Sequence, residues 1–322
     1  MKSVADEPRA TDIPAAPDAA SALGNAALVA LHAPSVHNTQ PWHWRVGGDR
    51  LELYADERWQ LQIADPGGRL LLLSCGAALH QVRVALRGMG YLPAVRRLRE
   101  RDQLGRLATV TVDRPIPVTE HATELLLAAL HRQTDRRSFA DVRIPDEALT
   151  AMRQAAASEG VWLQVLNPDQ VTTLLTAAEH AEATESADRR NRQELTHWTG
   201  HPPGAPDGIP VTALPPRGSP YRPNDTYAIL YGNGDRPVSW LHAGEALSAV
   251  WLAALVHGLA VQPISAVIEV PGARATIYRM LSGIGSPYLA LRIGVPAANG
   301  TELADEVSMT GRRAASEVLE AT

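Results

Sequence analysis

Cysteine, lysine and long apolar runs are scarce in this 322-residue chain, and each scarcity removes a class of function. The single cysteine, Cys75, excludes an internal disulfide and any multi-cysteine metal site. Lys2 is the only lysine among 30 basic residues, so arginine is the default cation and an isolated Arg says little about phosphate binding. Neither a Gly-x-Ser-x-Gly elbow nor a Gly-x-x-x-x-Gly-Lys phosphate loop is present, which argues against a serine hydrolase and a P-loop nucleotidase. No stretch reads as long and apolar enough to span a membrane; the nearest, Ala243 to Leu259, includes Glu245, Ser248 and His257. His197 and His201 have the spacing of a zinc helix, but the string His-Trp-Thr-Gly-His-Pro lacks the glutamate and contains helix breakers, so no metal site is expected. A net charge of −5 with a pI near 6.1 argues against a nucleic-acid surface. Residues 1–20, rich in Ala, Pro and Asp, read as a disordered tail and not a signal peptide. A cytoplasmic protein without nucleic-acid or membrane partners is the expectation.

What is present begins at residues 33–42, Ala-Pro-Ser-Val-His-Asn-Thr-Gln-Pro-Trp. An apolar helical run from Ala26 to Leu31 leads into Pro34, which breaks the helix where the polar groups start. Ser35, Asn38 and Gln40 then supply a hydroxyl and two carboxamides, and a carboxamide carries a donor and an acceptor side by side. That pairing suits the imide and carbonyl edge of a heterocycle.

An internal repeat organises the rest. Leu73-Ser-Cys-Gly-Ala-Ala-Leu79 aligns with Leu241-His-Ala-Gly-Glu-Ala-Leu247, and the match continues without gaps to Tyr91 and Leu259. Gly76/Gly244, Ala78/Ala246, Leu79/Leu247, Val82/Val250, Ala85/Ala253 and Gly90/Gly258 are identical pairs. Both segments read as helices rich in small residues that end at a Gly. The second is apolar almost all round, so burial on every side is expected. Two such helices can approach closely at a pseudo-two-fold axis.

Strand patterns at Trp42 to Val46 and Leu51 to Tyr54 flank Gly47-Gly48-Asp49 and predict a hairpin. Further strands are expected at Leu107 to Val112, Trp162 to Leu166, Tyr227 to Tyr231 and Tyr288 to Ile293. Helical patterns cover 70–88, 120–131, 146–157 and 170–187. The mixture predicts an α+β fold in which antiparallel sheets pack with helices. Gly232-Asn-Gly234-Asp-Arg-Pro237 imitates a dinucleotide fingerprint, but Pro stands in place of the third Gly and no helix is expected to open there.

The turn at 34–42 resembles the Pro-Ser-x-x-Asn-x-Gln-Pro-Trp signature of the FMN-dependent nitroreductase superfamily, in which it contacts the flavin ring. The resemblance implies ring contacts from Pro34, Ser35, Val36, Asn38 and Gln40. His131-Arg-Gln-Thr-Asp-Arg-Arg-Ser-Phe139 resembles the family's phosphate motif with one extra residue before the Phe. Arg132, Thr134 and Arg136 fit best, with Arg137 in reserve. Thr310-Gly-Arg312-Arg313 resembles the basic pair that completes the phosphate site, and Pro263, Ile264 and Ser265 match the segment whose backbone amides face the ring. Nitroreductases are normally homodimers, whereas here one chain holds both halves, as in the Acg-type branch. The implied architecture is an intrachain pseudo-dimer: a tail at 1–20, a first half at 21–115 and a second half at 116–322. The second ring turn, near residues 155–162, lacks the Asn and Gln, so a single FMN site is expected.

By the same resemblance the protein is an NAD(P)H-dependent oxidoreductase that passes electrons through FMN to nitroaromatic, quinone or similar acceptors. The alternative is a non-catalytic protein that sequesters FMN; a scaffold without flavin is a weaker third reading. The choice of NADH or NADPH, and of monomer or homodimer, stays open. Finally, the Pro- and Gly-rich stretch at about 193–225 excludes a regular helix or central strand yet carries Trp198 and Tyr221. So long an irregular connection with apolar side chains reads as a lid over the flavin.

Overall fold

A computed structural model describes residues 18–97, 105–210, 222, 225–297 and 310–321. The expected tail falls at 1–17 outside the described residues, but its last three residues are helical or capping. Asp18 accepts the amide of Ser21 and opens α1 (Ala19–Ala30). The hairpin follows as β1 (Trp42–Gly47) and β2 (Arg50–Ala55), then α2 (Arg69–Gly88), β3 (Tyr91–Arg97), β4 (Arg106–Pro115), α3 (Glu120–His131), α4 (Asp146–Ser158) and β5 (Trp162–Val165). The chain continues through α5 (Pro168–Ala187), α6 (Arg189–Trp198), β6 (Thr199–His201), β7 (Ile209–Pro210), β8 (Thr226–Gly232), α7 (Pro237–Val256) and β9 (Ala260–Ile264). It closes with α8 (Ala266–Glu269), α9 (Pro271–Met280), β10 (Ser286–Gly294), α10 (Ala315–Val318) and β11 (Leu319–Ala321).

The strands form two main sheets, β11-β1-β2-β4-β3 and β5-β8-β10-β9, so the class is α+β. All pairings in them are antiparallel except β1 with β11, where Trp44 faces Leu319. The last strand of the chain therefore completes the sheet built by the first residues. Gln170 and Asn167 form a reciprocal capping box at the start of α5.

Three sequence expectations are corrected. A helix does open at Pro237, because proline at N1 lacks only an amide that would be unpaired anyway. The β8 sheet is nevertheless antiparallel, which keeps the doubly wound fold excluded. The lid stretch is partly regular: α6 runs on to Trp198, whose ring is buried, and β6 and β7 form a small parallel pair. Tyr221 lies outside the described residues. Finally, α2 and α7 are by length and hydropathy long enough to cross a membrane, but they bury most of their surface inside the protein.

These two helices form the centre, and their approach depends on the two glycines the repeat aligns. A Cβ on Gly76 would stand 2.0 Å from the carbonyl oxygen of Leu241, and one on Gly244 would stand 1.9 Å from that of Leu73. The contacts are reciprocal, as they would be about a two-fold axis. His80 Nδ1 and Ser248 Oγ, also at aligned places, meet at 2.9 Å. Toward one end, fully buried Glu245 accepts Arg97 Nε at 2.6 Å and Arg83 Nη1 at 2.9 Å, and Arg83 also reaches Glu159 at 2.6 Å. Glu159 belongs to the turn expected to carry a degenerate second site, and its carboxylate is spent on Arg83.

Candidate functional site

The ring turn is held under backbone strain. Pro34 is buried, and Ser35 is extended and closes the turn by accepting the Gln40 amide on Oγ at 3.0 Å. The Val36 amide donates to Ser74 Oγ at 3.1 Å, which fastens the turn to α2. His37, Asn38 and Gln40 have positive φ of 44°, 57° and 50°. Non-glycine residues rarely occupy that region, and such strain gathers at ligand sites.

Asn38 and Gln40 also tie this turn to distant parts of the chain. Asn38 Nδ2 donates to the carbonyls of Gly208 and Gly311, each at 3.2 Å. Gln40 Nε2 donates to Pro206 O at 2.8 Å and Asn38 O at 3.2 Å. Gln40 Oε1 accepts the Arg313 amide at 2.9 Å, and Asn38 Oδ1 accepts Arg312 Nη1 at 3.3 Å. A carboxamide has only two N–H donors, and both residues spend theirs on backbone carbonyls. They bind the turn to the 206–208 loop and to the C-terminal segment.

The arginines separate into two groups. Arg132 is 5% exposed, donates from Nε to the His32 carbonyl at 3.3 Å and lies 4.5 Å from the centre of the Trp251 ring. Its Nη1 is buried without a hydrogen-bond partner among the described residues. Burial, with Arg312 and Arg136 nearby, holds its guanidinium well below the ordinary range. Burial also pushes Arg312 down to about 10. His37 is pushed down to about 4 by burial and then by Arg136, and His32 is lowered by burial, Arg312 and Arg132. Arg313 stands apart, with its guanidinium 4.0 Å from the Trp59 ring centre and Nη1 on the Gln40 carbonyl at 3.2 Å. It therefore serves the turn and not the arginine cluster. Arg137, the reserve, is ion-paired to Asp135 at 2.7 Å.

The remaining expected residues lie in the 132–137 segment and at the end of β9. Thr134 is half-buried in an irregular segment that meets β9 where the Asp135 amide donates to Val261 O at 3.4 Å. Arg292, fully buried, donates to the Arg137 carbonyl at 3.0 Å and Gln262 Oε1 at 2.9 Å and so pins that segment. Pro263 and Ile264 pair with Leu291 and Ala290 in β9, and Ser265 precedes α8. Sequence reasoning missed His32, His37, Ser74 and Trp251. Ser74 and Trp251 carry no local signal, because each acts through a helix distant in sequence from its partner.

Among the described residues the charges acting on the buried Arg132 guanidinium are two more guanidiniums, an arrangement that an anion would stabilise because an unpaired buried charge is costly. A phosphate supplies the acceptors that a guanidinium fork addresses best. The donor set therefore fits a phosphorylated cofactor. An α+β protein of two mainly antiparallel sheets, with a strained polar turn beside a buried arginine cluster, is the class that fold and site define. No family model matches the chain. It is 35% identical, over 91% of its length and 89% of the relative's, to a Mycobacterium tuberculosis (strain H37Rv) protein provisionally named as an NAD(P)H nitroreductase. It is 27% identical, over 92% of its length and 95% of the relative's, to the similarly named acg protein of that organism. The chain belongs to the nitroreductase superfamily. Among solved structures it is similar to the FMN-dependent nitroreductase NfnB of Mycobacterium smegmatis in complex with NADPH, at 14% identity and a TM-score of 0.42 over 62% of this chain and 97% of that one.

Proposed function

We propose that this chain is an FMN-dependent NAD(P)H oxidoreductase acting on nitroaromatic, quinone or similar acceptors, and that it works in the cytoplasm. The observation that carries the reading is the Arg132 Nη1 donor, buried without a hydrogen-bond partner among the described residues and close to Arg312 and Arg136. Arg132, Arg136 and Arg312 would hold the phosphate, and Trp251 would back the first of them. When bound, FMN supplies the electron-transfer chemistry, taking reducing equivalents from the nicotinamide and giving them to the acceptor. Ser35, Val36 and the β9 end at Pro263, Ile264 and Ser265 would border the ring, with their amides as donors. Thr134 would add a hydroxyl beside the phosphate. One FMN per chain and two fused halves about the α2–α7 axis belong to the same proposal, supported by the ion pairs that Glu159 and Glu245 make with Arg83 beside the turn that lacks the Asn and Gln.

A lid is part of the same proposal. The 206–208 carbonyls sit on the carboxamides of the ring turn, and Trp198 anchors the start of the stretch. That closure also favours a second reading, a protein that stores FMN out of reach of reductant. Steady NAD(P)H consumption with an added acceptor separates the two. The cofactor itself is tested by comparing FMN with riboflavin. Arg132→Gln should weaken FMN about ten- to hundredfold, the equivalent of a charged hydrogen bond worth about 1.5–3 kcal/mol, and leave riboflavin unchanged. Equal affinity of the parent protein for the two flavins would remove the reading.

A further inference from the structure

The arginine cluster has a basic neighbour outside the motifs that pointed to it. His32 follows the C-cap of α1, two residues before Pro34, and its carbonyl is the one that Arg132 Nε reaches at 3.3 Å. The end of α1 therefore touches the buried guanidinium. The His32 imidazole is half-buried and makes no hydrogen bond among the described residues. The charges acting on it are Arg312 from the C-terminal segment, Arg132 just past α3 and His131 at the end of α3, with no carboxylate among them. Two of these neighbours hold spare donors, since Arg132 Nη1 and Arg312 Nε are buried without hydrogen-bond partners among the described residues. His131 spends Nδ1 on the Leu127 carbonyl at 2.8 Å. Three side chains with unspent nitrogens thus share one place.

Burial, followed by Arg312, Arg132 and His131, holds the imidazole below its ordinary range, so at pH 7.5 it is neutral in the flavin-free chain. A phosphate dianion in the cluster reverses the local charge and favours the imidazolium, which can donate from both ring nitrogens. We propose that His32 is a further cation of the phosphate site: its imidazole takes up a proton from solvent as the FMN phosphate arrives, so the chain holds FMN more tightly as the pH falls. The proposal rests on the flavin reading and deepens it with one more phosphate ligand and a pH dependence. Protonation and phosphate binding favour each other, so the gain is present while the imidazole is charged and is lost as pH rises. His37 does not compete for this role at pH 7.5, because burial and Arg136 push it down to about 4. Arg312, pushed down to about 10, already carries its proton there. The second ionisation of a phosphate monoester lies near about pH 6, so FMN arrives as the dianion and releases few protons of its own.

Calorimetric titration of the flavin-free full chain with FMN and with riboflavin, at pH 7.5 in HEPES and again in Tris, is the experiment. The two buffers release protons with different heats, so the difference between them counts the protons taken up. FMN binding should take up about half a proton or more per chain, and riboflavin binding close to none. His32→Gln should abolish the uptake and leave riboflavin affinity unchanged, which also shows that the variant folds. The same variant should weaken FMN about tenfold at pH 6.5 and progressively less toward pH 8.5. His32→Arg, a cation throughout that range, should restore FMN binding and remove its pH dependence, which a packing role for His32 would not produce. FMN binding without proton uptake, or uptake that survives His32→Gln, would overturn the proposal and leave the flavin reading standing. Equal affinity of the parent chain for FMN and riboflavin would remove that reading and the proposal with it.

Discussion

Gly76→Ala tests the central packing of this protein most directly. The added methyl would lie 2.0 Å from the Leu241 carbonyl oxygen and 2.9 Å from its carbon. An ordinary C···O contact is about 3.3 Å, so the helices must part locally by roughly 1.3 Å. The obstacle is backbone, which no rotamer change can relieve. Overpacking of this kind costs about 1–3 kcal/mol or more, while alanine in a helix recovers up to about 1 kcal/mol relative to glycine. Because the obstacle is backbone, the upper part of that range applies, and we expect a net loss of about 1–2 kcal/mol, read as a lower urea midpoint at unchanged slope. Gly244→Ala presses on the same contact from the other helix. Once one methyl has separated the pair, the second meets less resistance, so the double variant should cost at least about 0.5 kcal/mol less than the sum. The displacement also moves Ser74, two residues earlier, away from the Val36 amide, so flavin content should fall with stability. A Gly76→Ala protein as stable as the parent, or strict additivity with Gly244→Ala, would refute the reasoning.

Two further outcomes are expected. Asn38→Ala removes donors to Gly208 and Gly311 and should cost about 1–3 kcal/mol, with retained flavin reacting faster with dithionite because the 206–208 loop is released; unchanged reaction in a less stable protein would separate Asn38 from the lid. Burial, reinforced by Glu185, pushes the Glu269 carboxyl up to about 8 from an ordinary 4.5, so the folded chain keeps a proton the unfolded chain has lost and stability falls as pH rises through that window. Glu269→Gln should therefore raise the Tm relative to the parent at pH 9 and not at pH 4.5, and an equal difference at both would contradict the burial.

Local chemistry made much of this protein legible before its fold was known. The β1–β2 hairpin, α3, α4 and β8 follow from apolar alternation, capping residues and turn glycines, all of which act within a few residues. The α2–α7 contact was legible too, because a repeat reports symmetry and small residues report close approach. The ring turn and the arginine segment announced themselves as strings. Their partners did not. Only the tertiary structure decided that Asn38 and Gln40 spend their donors on the carbonyls of Pro206, Gly208 and Gly311, far along the chain. It also divided Arg312 from Arg313, adjacent residues of one type, placing the first beside Asn38 and the second on Trp59. The same holds for β11, which pairs with β1 across nearly the whole sequence. A propensity or a motif acts over neighbouring residues, whereas burial, charge pairing and hydrogen-bond saturation depend on which distant segments the fold brings together.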